Sequence, residues 1–339
     1  RAKGRGCAEV GIALALCKLP CRHVFNVEVC LSQPSRLIQT VKGAVEIACL
    51  GEGPTVLSVH GGPGGCDQGL LMALPLLQAG FRVIAPSRPG YLGTPLSSGV
   101  HLEEQADLLA ALLDALELPS VGVVGASAGG PPAYLLASRH PDRVQSLVVI
   151  DGVTQAYLKG EQLSAWEEAI FLSRPGIGLM DWLGRHFPGT VVSNLLKTES
   201  SLSPEALQER VSEVMHSPDK LAFVQAMMRT MSDRFQQRHE GVRNDLKQLA
   251  AISQLDLTAI RCPTLILHGE ADRDVLAEDA RWAHGQIEAA ELHWIPAGSH
   301  LAFWIAPDAA EAQAHAVAVL QKAAEPCADL SDGRADLPS

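Results

Sequence analysis

From about residue 36 the chain alternates short apolar runs with longer stretches whose apolar residues recur at helical spacing. Residues 45–50 read as a strand, and Gly51-Glu52-Gly53-Pro54 reads as a turn into a buried strand at 55–59. Residues 68–79 predict a helix that Gly80 closes, and residues 81–85 predict the next strand. A helix follows over 102–116, with Glu103, Glu104 and Asp107 in its first turns, where the positive end of the helix dipole favours acids. Strands at 121–124 and 144–150 flank a helix over 133–139. Alternation of this kind predicts an α/β fold: a mostly parallel sheet with helices on both faces and ligands at the carboxyl ends of its strands.

After Asp151-Gly152 the alternation stops. Residues 153–257 read as helical, with Trp166, Phe171, Met180, Trp182, Phe187, Met215, Phe223, Met227, Met228 and Met231 scattered through them. Strands then resume at 263–268 and 292–295, and a helix at 309–323 ends the pattern. The expected organisation is an N-terminal extension over 1–35 and an α/β core over 36–152 and 258–323. A helical cap over 153–257, inserted after the sixth strand, would lie above the carboxyl edge, and 324–339 would form a loose tail.

Composition narrows the function. The chain has 339 residues, 47% of them hydrophobic, enough for a sizeable core. A net charge of −11 speaks against nucleic acid as a partner, because phosphate binding needs a basic surface. No apolar run approaches the roughly 18 residues of a membrane-spanning helix. The eight cysteines form no CxxC pair and no zinc-like cluster with histidine, so neither metal nor cofactor is expected, and buried thiols of a cytoplasmic protein are. A Cys17/Cys21/Cys30 disulfide stays open, as does a targeting role for Arg1, Lys3 and Arg5 ahead of the apolar residues 10–17, which loosely resemble a signal peptide without a small-x-small cleavage site.

The candidate chemistry begins at Gly125-Ala126-Ser127-Ala128-Gly129, between a buried strand and a helix. A serine between two glycines at such a junction is the nucleophile-elbow pattern, in which missing side chains permit a very sharp turn. Pro131 and Pro132 fall in the first turn of the helix that follows, where a missing N–H costs little. A serine hydroxyl needs a base, and the base needs an orienting acid. The strand at 263–268 runs into Gly269-Glu270-Ala271-Asp272, and the strand at 292–295 runs into Gly298-Ser299-His300. Both loops belong at the same sheet edge as Ser127, in the order serine, acid, histidine. Spacing from Gly269 favours Asp272 over Glu270 and Asp274, and Asp151, just past the strand at 144–150, is a rival acid.

With His60-Gly61-Gly62-Pro63-Gly64 these motifs resemble the α/β-hydrolase superfamily over residues 36–322, and Ser87-Arg88-Pro89-Gly90-Tyr91-Leu92-Gly93 resembles that family's loop after the fourth strand. The resemblance implies Ser127 as nucleophile, His300 as general base and acid, and Asp272 as its orienting acid. It also implies the backbone N–H groups of Gly62 and Ala128 as oxyanion hole. His60 is expected to brace its turn, and His268 and His293 to be structural. Ser87 stands where the family often carries aspartate, which leaves the polar tie of that loop open. Serine as nucleophile speaks against haloalkane dehalogenases and epoxide hydrolases. The first loop is similar to that of proline iminopeptidases, but their elbow usually has tryptophan after the serine, and this chain has Ala128.

The expected activity is therefore cofactor-free hydrolysis of a small-molecule carboxylic ester through an acyl-enzyme. Three alternatives remain: an aminopeptidase using cap carboxylates such as Glu167 or Glu168, a lactone or carbon–carbon bond hydrolase, and a non-catalytic binding protein on the same fold. Oligomeric state is not legible in the chain.

Overall fold

A computed structural model describes residues 25–158 and 186–324. Eight strands form one sheet: β1 (Ser35–Thr40), β2 (Gly43–Leu50), β3 (Thr55–Val59), β4 (Arg82–Pro86), β5 (Val121–Ala126), β6 (Val144–Ile150), β7 (Thr264–Gly269) and β8 (Ala290–Ile295). Their spatial order is β1-β2-β4-β3-β5-β6-β7-β8, antiparallel from β1 to β4 and parallel from there on. The order reverses at β3, and the carboxyl ends of β3 and β5 lie side by side through the pair Val59 and Gly125. Ligands of open parallel sheets bind at such edges.

Helices on the first half are α1 (Val27–Ser32), α2 (Cys66–Met72), α3 (Leu74–Gln78), α4 (Leu102–Ala115) and α5 (Gly130–Arg139). After β6 come α6 (Pro188–Glu199), α7 (Pro204–His216), α8 (Pro218–Ser232) and α9 (His239–Ala250). Then α10 (Ala277–Gln286) joins β7 to β8, and α11 (Ala302–Ile305) and α12 (Ala309–Ala324) close the described chain. Neighbouring strand residues point to opposite faces. Val56, Val83, Val124, Val148 and Leu265 therefore pack with Leu70, Leu77, Ala316 and Leu320 of α2, α3 and α12 on one face. Leu57, Ile84, Val123, Leu147 and Ile266 pack with Leu108, Leu112, Leu136 and Ala283 of α4, α5 and α10 on the other.

Strands 55–59 and 144–150 fall where the pattern puts them. The expected single helix over 68–79 is instead two, because Pro75 lacks the N–H that a continuous helix would use, and Ala73 caps the break. The pattern misses β1, a half-exposed edge strand, and α10, whose sequence AEDARWAHGQ has no clear apolar stripe. Starts of α7 and α8 are locally encoded. Ser203 and Ser217 accept from the N–H of Ala206 and Lys220, and Pro204 and Pro218 occupy the position where a missing N–H is harmless.

α6, α7 and α8 sit against one end of the sheet through Val192, Leu196, Val214, Phe223 and Met227, which join the cluster that contains Trp304 of α11. The Phe223 and Trp304 rings stack with centroids 5.5 Å apart. Trp166, Phe171, Met180, Trp182, Glu167 and Glu168 lie outside the described residues, as do Cys7, Cys17, Cys21 and Cys327. Cys30, Cys49, Cys66 and Cys262 are free thiols, and burial pushes those of Cys30 and Cys66 up to about 12, so neither is a thiolate at neutral pH. Among the described residues no helix is long and apolar enough to cross a membrane.

The packing at the end of β5 gives a direct test. A Cβ on Gly125 would sit 2.6 Å from the Ala133 Cβ and 2.8 Å from the Gly129 carbonyl oxygen. We expect Gly125→Ala to cost about 1–3 kcal/mol by overpacking, read as a melting temperature several degrees lower in calorimetry; an unchanged melting temperature would show that the turn has slack.

Candidate active site

Ser127 is built by backbone geometry. β5 ends at Ala126, a single 3-10 turn spans Ser127–Gly129, and α5 starts at Gly130 with Pro131 and Pro132 in its first turn. Ser127 has φ of +52°, in the left-handed region that non-glycine residues rarely enter. Strain of this kind, about 1–3 kcal/mol, persists only where the surroundings impose it. The Gly61 backbone packs closely against this turn: a Cβ on Gly61 would lie 3.3 Å from that of Ser127. The first N–H groups of a helix have no partner within it and form its positive end, so the Ala128 amide belongs to a region suited to developing negative charge.

Beside the serine runs His60-Gly61-Gly62-Pro63-Gly64, held from below by a buried network. The Arg88 guanidinium donates to the carbonyls of His60 (3.0 Å) and Gly61 (3.2 Å) and makes a two-pronged pair with Asp245 of α9, at 2.7 Å on one prong. Tyr91 donates to the same carboxylate at 2.6 Å. His60 Nε2 accepts from the Arg88 amide at 2.9 Å, which leaves Nδ1 as the donor to the Gly61 carbonyl. Burial, aided by the Arg88 charge, holds this imidazole well below its ordinary pKa, so it is neutral and fixed in that tautomer. His60 therefore braces the loop. A Cβ on Gly62 would come 3.2 Å from Asp245 Oδ2 and 3.5 Å from the Ala128 Cβ, so the loop approaches both the elbow and the ion pair. The polar tie left open at Ser87 exists in altered form: Glu46 accepts from the Ser87 hydroxyl (3.1 Å) and the Gly93 amide (2.7 Å).

The loops after β7 and β8 bring Asp272 and His300 together. His300 Nδ1 donates to Asp272 Oδ2 at 2.7 Å, and Asp272 Oδ1 accepts from the amides of Asp274 (2.7 Å) and Val275 (3.2 Å). Burial alone would lower the His300 pKa, but Asp272, Asp274 and Asp151 outweigh it and hold the ring well above its ordinary value. The rival acid Asp151 spends Oδ1 on the Gly269 amide at 2.9 Å. Burial, and after it the neighbouring Asp272 charge, push its carboxyl well above the ordinary carboxylate value. Glu270 is exposed. His268 is buried, its Nε2 faces the Val275 carbonyl, and burial lowers its pKa to about 4. Asp151, His268 and Asp272 bring potential ligand atoms within 4.8 Å of one another. Gly269, Val275 and His300 engage one atom each of those side chains, while Asp151 Oδ2 and His268 Nδ1 make no hydrogen bond.

Ser127, His300, Gly61, Gly62, Asp151 and Asp274 line one cavity of about 70 Å³; Asp272 lies behind His300 and does not. α6 and α8 supply Leu195, Glu199, Met227, Met228 and Met231, and Met72, Leu301 and Trp304 complete its apolar side. A strap fixes the end of α6 to the acid loop. Ser201 N donates to the Ala271 carbonyl (2.8 Å) and Arg273 N to that of Glu199 (3.1 Å). Sequence reasoning missed Asp245, Glu199 and Tyr157. Each acts through a partner distant in the chain, such as Arg88 for Asp245, and no spacing rule links them.

A strained serine at the carboxyl edge, a buried histidine–carboxylate pair and a glycine loop beside them define the architecture of hydrolases built on a parallel sheet. The α/β hydrolase fold family model matches residues 54–307, and the chain belongs to this family. It is 32% identical to the uncharacterized hydrolase YcgS of Bacillus subtilis (strain 168) over 81% of this chain and 95% of that protein. It is 29% identical to a 2-hydroxy-6-oxo-2,4-heptadienoate hydrolase of Pseudomonas putida over 72% of this chain and 81% of that protein. Among solved structures, an alpha/beta hydrolase fold protein from Nakamurella multipartita superposes with a TM-score of 0.79 at 41% identity, covering 85% of this chain and 99% of that one.

The Arg88–Asp245 pair predicts a stability contrast. Asp245→Ala would strand a buried guanidinium and cost about 3–5 kcal/mol. Asp107→Ala, which breaks a partly exposed cluster with Lys42, Arg139 and His140, would cost about 0–1 kcal/mol. Urea unfolding of the two variants checks this, and equal losses would show that the buried pair does not anchor the loop.

Proposed function

We propose that the chain is a serine hydrolase that cleaves carboxylic esters through an acyl-enzyme on Ser127. The observation that carries this reading is the 2.7 Å bond from His300 to buried Asp272, in a histidine that shares a cavity with a serine held in left-handed backbone. With Nδ1–H given to Asp272, Nε2 is the nitrogen left for proton transfer. Ser127 Oγ attacks the ester carbonyl while its proton passes to His300 Nε2. The tetrahedral oxyanion is received by the Gly62 and Ala128 amides, and the imidazolium returns its proton to the leaving alkoxide. Water then repeats the sequence on the acyl-enzyme. Asp272 stays ionised and stabilises the imidazolium. In this reading α6 to α9 act as a cap, and their flexible methionine side chains adapt the apolar side of the cavity to the acyl group.

The lining favours the ester reading over its alternatives. A dienoate, the substrate class in the name of the Pseudomonas putida relative, is a carboxylate. The described lining offers it no lysine or arginine, and offers Glu199 and Asp274 instead. Like charges in a cavity of low dielectric repel, so a neutral ester is the better fit. The same two acids give the amino-acyl amide reading its one specific support, since an amine would be attracted to them.

A fluorophosphonate probe should label Ser127, and Ser127→Ala should lower turnover of a short p-nitrophenyl ester by about a millionfold with the fold intact. Asp272→Asn should cost about 10⁴-fold. Amino-acyl p-nitroanilides and a dienoate run beside the ester decide among the three readings. Absence of labelling in folded protein would leave only the binding-protein reading.

A further inference from the structure

Both ring nitrogens of His300 face carboxylates. Asp272 Oδ2 lies 2.7 Å from Nδ1, and Asp274 Oδ2 lies 3.6 Å from Nε2. The second distance exceeds a hydrogen bond but is well inside the range over which an opposite charge acts on an ionisable group. Asp274 is held for this position. Tyr157 donates to its Oδ1 at 2.9 Å, and its own amide donates to Asp272 Oδ1 at 2.7 Å, so the two acids are fixed as one unit. It also lines the cavity with Ser127. The other ionisable groups around the ring are Asp151 just past β6, whose carboxyl burial holds well above its ordinary value, His268 of β7, whose pKa burial lowers to about 4, and Glu199 of α6 across the cavity. Asp274 is therefore the charge set against Nε2, the nitrogen that Asp272 leaves free for proton transfer.

We propose that Asp274 is a positioning residue for His300: its charge beside Nε2 stabilises the imidazolium through which the reaction passes and sets the pH at which the ring becomes a base. This rests on the serine-hydrolase reading. The proton moves from Ser127 Oγ to Nε2 and from Nε2 to the leaving oxygen, while Asp274 stays ionised and takes no proton. At 3.6 Å it applies its field without capturing the N–H that the leaving group needs. The sign follows. A carboxylate beside the ring raises the imidazolium pKa, the neutral ring is the competent base, and activity falls as pH drops through that raised value. Removing the charge lowers the pKa, extends activity to lower pH, and weakens stabilisation of the imidazolium on the plateau.

The test is the pH profile of kcat/KM for a short p-nitrophenyl ester with the full chain. Asp274→Asn should move the acid limb to lower pH by about one unit and reduce plateau kcat by about tenfold. Asp274→Glu should restore the limb, which a merely structural role would not do. Asp274→Ser carries the same expectation if the asparagine variant does not fold. An acid limb that stays in place, or moves upward, in a folded variant overturns the proposal. NMR titration of the His300 ring reads the same shift without turnover. If wild type neither labels at Ser127 nor turns over ester, the hydrolase reading fails on its own; coincident ring titrations in wild type and Asp274→Asn would sink the Asp274 proposal independently.

Discussion

Everything at this site depends on the reversal between β5 and α5. The chain leaves a buried strand and enters a helix within a 3-10 turn of three residues, and Ser127 absorbs the cost in left-handed backbone. The turn fits only because Gly125 and Gly129 leave room where a Cβ would meet Ala133 or the backbone of Val59 and His60. A relaxed turn would be longer and would put the hydroxyl elsewhere. The strain is tolerated because β5 lies at the centre of the sheet, paired on both sides and packed on both faces.

The groups that share the cavity with that serine arrive by a different principle. They come from loops at one edge, and each loop is tied to something far away in sequence. Arg88, at the end of β4, holds the glycine loop on one side and an aspartate of α9 on the other, so the loop and the helical segment share one buried ion pair. The end of α6 is strapped to the acid loop by backbone hydrogen bonds around Asp272. The helices between β6 and β7 are thus connected to both halves of the candidate machinery. A buried pair of this kind adds little net stability against an apolar alternative, but removing one partner strands the other charge.

The electrostatic logic is the crowding of carboxyls around one imidazole. Asp151, Asp272 and Asp274 all approach His300, and they cannot all be ionised at low cost. The fold resolves this by position. Asp151 is buried and held well above the ordinary carboxylate value, Asp272, supplied with two backbone amides, pairs with Nδ1, and the quarter-exposed Asp274 faces Nε2. Three acids within a few residues of the right places thus take three roles.

Periodicity and turn chemistry made the core strands and the elbow legible in the chain, strand ends and chain order offered Asp272 and His300, and the glycine loop was legible through its resemblance to the family. β1 and α10 were not legible, since an edge strand and a polar surface helix carry no strong apolar period. The Asp245 partner of Arg88, the placement of Glu199 and Asp274 around one cavity, and the Tyr157 bond to Asp274 were decided by tertiary structure alone. These are contacts between residues up to 157 positions apart, as for Arg88 and Asp245. No local preference encodes them: their energy comes from desolvation and charge at the packed interface, which exists only once the sheet and the helices above it have come together.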